Sequence, residues 1–175
     1  MKYLKLFEEI DNNMIFYHGG NLDNYSPFIS HKKGRYEHGP GLYAIQHIDT
    51  AIRYAKGNRK LYKLTIEKGR DLNDIKFDID KCLYFIKYNV TASKRKLVLE
   101  RMEKFIIDDK IKGYIFNNIM LNTNCVKPSK TKEWQKFLVE NGADYNICNN
   151  TFGFGEDMIT LYNLNKLKNI ERIKS

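Results

Sequence analysis

Short apolar runs alternate with polar turns along this chain, and several of the runs have the length of strands. Residues 14–17 (MIFY) are apolar and run into Gly19-Gly20, which predicts a buried strand entering a turn. Residues 61–66 (LYKLTI) alternate between two faces, which is typical of a strand with one buried face. Residues 143–148 and 158–162 are also predicted as strands, the second of them in the core.

Other segments repeat their apolar residues at helical spacing. Asp49 is the predicted N-cap of a helix that stops at Gly57. Residues 93–110 predict a second helix with Ser93 as its cap, and residues 129–140 predict a third, ended by Gly142.

For two apolar segments the pattern allows more than one secondary structure. Residues 81–90 fit a helix or a strand, and residues 112–120 fit a strand or a helix end. Helices and strands are interspersed without regular βαβ units, and there are no repeats or linkers. The pattern therefore predicts one α+β domain over residues 1–175.

Composition narrows the class of protein. The 175 residues are 42% hydrophobic and 13% aromatic, which predicts a packed core rather than disorder. Three separated cysteines without a CxxC pair favour a reducing compartment and argue against a thiolate zinc site. The first residues lack the apolar stretch of a signal peptide, and no run is long enough to span a membrane. A cytoplasmic location without membrane contact is expected.

The charge balance widens the range of partners. Lys and Arg number 30 against 21 Asp and Glu, a net charge of +9. Such a charge speeds encounters with nucleic acid, acidic proteins or anionic cofactors without distinguishing among them.

Three segments combine glycines with groups that carry chemistry. Tyr17-His18-Gly19-Gly20 follows the first apolar run, the run GPGLY ends at Tyr43, and the run GFGED ends at Asp157. Glycine allows a ligand to approach the backbone closely, and imidazole can bond to a hydroxyl. Tyr54 follows Tyr43 by eleven residues on a predicted helix. Two such rings could stack on a flat heterocycle.

These segments resemble the three signature regions of the H-Y-E-type ADP-ribosyltransferases, which include the poly(ADP-ribose) polymerase fold and diphtheria-toxin-like enzymes. The resemblance rests on YHGG, GPGLYAIQHIDTAIRYA and GEDMITLYNLNKL. It covers residues 14–67 and 142–170, and its most specific feature is the spacing from Tyr43 to Tyr54. It implies a split β-sheet core with surrounding helices, and NAD as co-substrate.

The resemblance also implies roles for single residues. His18 would bond the adenosine ribose, the backbone of Gly19 would hold the nicotinamide amide, and Tyr43 and Tyr54 would stack on the nicotinamide ring. The acid of the third region would stabilise an oxocarbenium-like transition state, as in glycoside cleavage. The remaining cofactor-binding positions that it implies are Tyr17, Gly20, Gly41 and Leu42.

The chain departs from the family pattern at three places. Gly20 replaces the usual Ser or Thr, and Ala51 replaces a serine that binds the carboxamide. The acid is either Asp157 or Glu156. Asp157 directly precedes the apolar strand, and a regular strand would turn Glu156 to the opposite face, so Asp157 is favoured.

The segment 21–41 is long for a loop and carries further polar groups. Lys32, Lys33 and Arg35 could meet a pyrophosphate or simply face solvent. His31, His38 and His47 have no cysteine or acid at ligand spacing beside them, so no metal site is expected.

The functional prediction is a mono-ADP-ribosyltransferase that moves ADP-ribose from NAD to a macromolecule, with a protein acceptor favoured over nucleic acid. Small members of this kind act as toxins, effectors or inhibitors of defence proteins, which is an expectation from the family alone. The main alternative is a catalytically degenerate module that inhibits a protein or nucleic-acid partner by binding. A relative that removes phosphate from RNA with NAD is a minor alternative, because it would need further His and Arg residues near His18.

Overall fold

The computed structural model describes residues 12–22, 39–55, 60–149 and 155–173. The loop residues His31, Lys32, Lys33, Arg35 and His38 lie outside this part of the chain, as do Gly57 and most of the predicted turn at 149–155. The predictions about them therefore stay predictions.

Eight strands and five α-helices form the described part of the chain, which confirms the α+β class. In chain order they are β1 (Asn13–Gly20), β2 (Leu42–Ile45), α1 (Ile48–Tyr54), β3 (Lys60–Glu67), β4 (Lys76–Asp78), α2 (Ile79–Asn89), α3 (Ala92–Glu103), β5 (Lys110–Lys112), α4 (Gly113–Thr123), α5 (Thr131–Glu140), β6 (Tyr145–Cys148), β7 (Met158–Leu161) and β8 (Leu167–Ile173). Short 3₁₀ turns lie at Leu72–Asp74, Pro128–Lys130 and Leu164–Lys166.

Six strands form one antiparallel sheet in the order β6-β7-β2-β1-β3-β8, and β4 pairs with β5 in a small second sheet. The predicted strands all lie in the large sheet. The alternation in β3 is confirmed from Tyr62 to Ile66, because Tyr62, Leu64 and Ile66 are buried while Lys63 and Thr65 are only half-buried. Leu61, on the face of Lys63, is buried as well.

The hydrophobic core has two clusters. One lies on the large sheet and contains Phe16, Leu42, Leu64 and Ile159. The other lies among the helices and contains Phe77, Phe116, Trp134 and Leu138. Tyr162 directly follows β7 but belongs to the helical cluster, where Gln135 Nε2 donates to its carbonyl oxygen at 2.7 Å. The end of β7 is thereby tied to α5.

Both ambiguous segments are helical. Residues 81–90 lie mostly in α2, whose buried residues are Cys82, Phe85 and Ile86. Most of 112–120 lies in α4, which ends where Asn124 adopts a left-handed conformation (φ 44°). Length decides in favour of helix, because each segment extends to eleven residues.

Several predicted helix boundaries were wrong. The N-cap of α1 is His47, with Asp49 inside the first turn, and the N-cap of α3 is Thr91 rather than Ser93. α3 ends at Glu103 instead of continuing to 110, because the chain turns there and Asp108 and Asp109 adopt positive φ. The third helix begins at Thr131, two residues late, and Gly142 (φ 94°) follows its end.

Candidate functional site

The large sheet is nearly divided between its two central strands. β1 pairs with β3 over eight residue pairs and β2 pairs with β7 over four, but β1 and β2 share a single pair, Tyr17 with Ile45. The sheet thus consists of two three-stranded halves that meet at this pair and separate beyond it. The three sequence segments singled out above lie on β1, on β2 and directly before β7, which are neighbours at this opening.

The imidazole of His18 reaches across the opening. Its Nδ1 lies 2.7 Å from the carbonyl oxygen of Tyr43. A carbonyl oxygen only accepts hydrogen bonds, so Nδ1 carries the proton in the neutral ring and Nε2 keeps a lone pair. Burial lowers the pKa of His18 below its ordinary value of 6.5, and the bond to Tyr43 offsets part of that shift. The ring at neutral pH is therefore uncharged, with Nε2 as an acceptor.

Gly19 is required by the packing of α1 on β1. A β-carbon at this position would overlap the carbonyl oxygen of Ala51 and would lie 2.8 Å from the amide nitrogen of Ala55. It would also lie 3.0 Å from Cβ of Tyr54. The absence of a side chain thus lets α1 lie directly on the strand, and it brings Tyr54 next to Gly19.

Gly20 and Gly41 are explained by other close approaches. A β-carbon on Gly20 would overlap Nε2 of His18, so the ring takes the space that a Ser or Thr side chain would fill. A β-carbon on Gly41 would lie 2.6 Å from the carbonyl oxygen of Leu161, on the neighbouring strand β7. Packing within the protein therefore explains why these two positions are glycine, without a bound ligand.

The two tyrosines differ in exposure. Tyr43 is half-buried, and its hydroxyl donates to the carbonyl oxygen of Gly39 at the start of the same turn. Gly39 has φ 104°, and a β-carbon there would lie 3.0–3.1 Å from the amide of Asn117 and 3.3 Å from the hydroxyl of Tyr162. Tyr54 is 45% exposed on α1. Helix α4 and Tyr162 thus support the turn that carries the Tyr43 ring.

Tyr17 and Leu42 flank the site in the sheet. Tyr17 is half-buried at the only residue pair that joins β1 and β2. The side chain of Leu42 is buried in the sheet cluster, and Leu42 pairs with Leu161 of β7.

The two acids before β7 have different environments. Glu156 is 6% exposed, and its Oε2 accepts a hydrogen bond from the hydroxyl of Thr50 on α1 at 2.8 Å. Its Oε1 is buried and has no hydrogen-bond partner among the described residues. Asp157 is half-buried, and its backbone bonds to Gln46: the amide of Gln46 donates to its carbonyl at 3.0 Å, and its own amide donates to Oε1 of Gln46 at 3.3 Å.

Strand alternation separates the faces of these acids. Tyr43 pairs with Thr160 across β2 and β7, so Tyr43, Thr160 and Glu156 share one face of the sheet. The bond from Thr50 identifies this face as the one that α1 covers. Asp157 has the parity of Ile159 and starts on the other face, which in the register of β1 is also the face of the His18 side chain. The acid on the side of Tyr43 and α1 is Glu156, whereas the sequence pattern favoured Asp157.

Four residues of the site were not predicted from the sequence. Thr50 lies four residues before Tyr54, and this spacing could have placed it on the same face of α1. No sequence pattern points to Gln46, Asn117 or Tyr162, because each acts through a contact made only in the folded chain.

No protein-family model, curated protein or solved structure matches the chain. None of the described helices is long and apolar enough to cross a bilayer.

Proposed function

We propose that the protein is an NAD-dependent mono-ADP-ribosyltransferase that moves ADP-ribose to a macromolecular acceptor, a protein rather than a nucleic acid. The observation that carries the proposal is the opening between β1 and β2. His18 and Gly19 lie on one side of it and Tyr43 on the other, with Nδ1 of His18 on the carbonyl oxygen of Tyr43, and α1, which packs on Gly19, carries Tyr54 and the hydroxyl that bonds Glu156. The nearly divided sheet also agrees with the split core that the family resemblance implies.

The groups at the opening fit the parts of a dinucleotide. The lone pair on Nε2 of His18 can accept a hydrogen bond from a ribose hydroxyl. The exposed ring of Tyr54 and the half-buried ring of Tyr43 offer surfaces for a flat nicotinamide ring. Oε1 of Glu156 is a buried acceptor that needs a donor, and a ribose hydroxyl would supply one.

Glu156 is the acid that we assign to the reaction. The bond between the nicotinamide nitrogen and C1′ of the ribose breaks, nicotinamide leaves with the bonding electrons, and the acceptor's nucleophile bonds to C1′ as it loses its proton. Positive charge develops on the ribose before the new bond forms. An anionic carboxylate fixed beside that charge stabilises it without having to reorganise. The bond from Thr50 holds the Glu156 carboxylate in one position for this purpose.

The state of His18 makes NAD affinity depend on pH. Protonation turns Nε2 from an acceptor into a donor, so the affinity should stay level above pH 6.5 and fall as the pH drops through the lowered pKa of His18. Calorimetric titration between pH 5 and 8 measures this. The His18→Gln variant should lose the dependence. An affinity that rises on acidification would contradict the assigned tautomer.

The same shift in pKa also affects folding. The unfolded chain binds a proton at His18 more strongly than the folded chain does. Stability from this group is therefore complete above pH 6.5 and is lost as the pH falls through the lower pKa of the folded protein. The Tm of the wild type should decline in this range more than the Tm of His18→Gln.

The acceptor can be found by labelling. We expect the wild-type protein, incubated with cell extract and NAD, to attach ADP-ribose to a discrete target that mass spectrometry identifies. The Glu156→Gln protein should leave the target unlabelled. No loss of NAD and no labelled product with the wild type would remove the proposal, and a Glu156→Gln protein with full biological effect would favour inhibition by binding alone.

A further inference from the structure

A groove of about 480 Å³ lies between the end of α3 and the exposed face of α4. Its walls are formed by residues from both helices and from the turn after α3, chiefly Arg101, Lys104, Phe105, Tyr114, Asn118 and Asn122. The groove is distinct from the opening in the sheet. Asn117 is buried on another face of α4, against Gly39, whereas its neighbour Asn118 faces the groove.

No carboxylate of the described residues neutralises the cations of the groove. Two exposed lysines elsewhere on the helices, Lys96 and Lys136, pair with Glu100 and Glu140 one turn away. Arg101 and Lys104 have no carboxylate within ion-pair distance among the described residues. Two positive charges in a concave site attract an anion more strongly than the same charges on a convex surface.

Aromatic rings and amides accompany these charges. Phe105, in the turn after α3, is 46% exposed. Tyr114 is half-buried, with Nζ of Lys112 5.9 Å from its ring centre. Asn118 and Asn122 lie one turn apart on the exposed face of α4. Rings that stack on bases and amides that bond to base edges are the usual companions of cations in nucleic-acid sites.

We propose that this groove binds a short segment of single-stranded nucleic acid, with Arg101 and Lys104 on phosphates and Phe105 and Tyr114 against bases. An acidic peptide would pair with the cations, but it offers no bases to stack on the two aromatic rings. The volume suits a ligand of nucleotide size. The net charge of +9 favours the encounter. Binding here does not depend on NAD or on Glu156.

Fluorescence anisotropy with labelled eight-nucleotide RNA and DNA, in the absence of NAD, tests the proposal. Both strands should bind, and an RNA preference would indicate contacts to the 2′-hydroxyl. An abasic strand of equal charge and a poly-glutamate peptide should bind more weakly. Equal binding of either competitor would overturn the assignment of bases to the groove, and a stronger peptide would identify an acidic protein partner instead.

Variants locate the site. Arg101→Gln with Lys104→Gln should reduce the slope of log affinity against log salt by about 1.4, since each phosphate contact of a single strand contributes about 0.7. Lys87→Gln with Lys96→Gln removes the same charge from exposed positions outside the groove and should leave the slope nearly unchanged. Phe105→Ala should weaken binding by roughly 5- to 150-fold through lost stacking.

Thermal stability and photocrosslinking provide two further tests of the site. All of these side chains reach the surface, so the Tm of each variant should match that of the wild type. Photocrosslinking of a 4-thiouridine strand to the wild-type protein, followed by mass spectrometry, should give adducts in residues 101–122. Adducts only outside this range, or equal losses in the groove and control variants, would refute the site.

Discussion

Replacing Glu156 by Gln should lower the rate of NAD turnover by about 10²–10³-fold, while NAD still binds. The loss of one preorganised electrostatic group typically has this effect on a rate. Glutamine keeps the shape of the side chain, and its carbonyl oxygen can still accept from Thr50, so the fold should survive. Nicotinamide release measured at saturating NAD gives the rate, and calorimetric titration gives the affinity.

The neighbouring acid provides the control. Asp157→Asn makes the same chemical change one residue away, on a side chain that starts on the other face of β7. It should leave the rate close to that of the wild type, because the ties from Asp157 to Gln46 are made by its backbone. If Asp157→Asn abolishes turnover and Glu156→Gln does not, the roles of the two acids are reversed.

Replacing Gly19 by Ala should destabilise the protein by about 1–3 kcal/mol, the usual effect of forcing an extra carbon into a packed site. The added methyl group meets the backbone of α1 at Ala51 and Ala55, which cannot rotate away as a side chain can. α1 must then move off β1 and take Tyr54 and Thr50 with it. NAD turnover should therefore fall in the fraction that remains folded. Chemical denaturation followed by circular dichroism measures the free energy of unfolding.

Gly20→Ala is the matched control on the same strand. The three atoms nearest to its methyl group all belong to the imidazole of His18, a side chain that can turn. We expect a smaller loss of stability together with weaker NAD binding, since the ring would leave its bond to Tyr43. Equal destabilisation by the two variants would mean that α1 does not rest on Gly19.

The sequence predicted β1, β3, β6 and β7 because their apolar runs are short, but it did not predict the central strand β2, whose segment was singled out only for its chemistry. It failed for β8, whose residues from Lys168 to Arg172 are exposed and show no buried face. The strand exists because it pairs with β3 over most of its length, and such pairing has no local signature. The starts of α1 and α3 were misplaced because the prediction relied on capping side chains, whereas the N-caps His47 and Thr91 make no side-chain capping bond.

The candidate site was predicted in part. His18, Gly19, Tyr43 and Tyr54 were identified as a group, and the structure places them on neighbouring elements: Nδ1 of His18 contacts the carbonyl oxygen of Tyr43, and Gly19 lies beneath α1, which carries Tyr54. The preference for Asp157 came from its place directly before the strand and from strand regularity. β7 is buried on both faces, so its hydrophobic pattern does not reveal which face lies beneath α1. That information comes from the bond between Thr50 and Glu156, across 106 residues of sequence.

A crystal structure of the protein with a non-hydrolysable carbocyclic NAD analogue tests the pocket most directly. The nicotinamide ring should lie against Tyr43 and Tyr54, the adenosine ribose within hydrogen-bond distance of Nε2 of His18, and the nicotinamide-side ring hydroxyl beside Oε1 of Glu156. An analogue bound elsewhere on the molecule, or bound at the opening with its ring hydroxyl beyond hydrogen-bond distance of Oε1 of Glu156, would contradict the account.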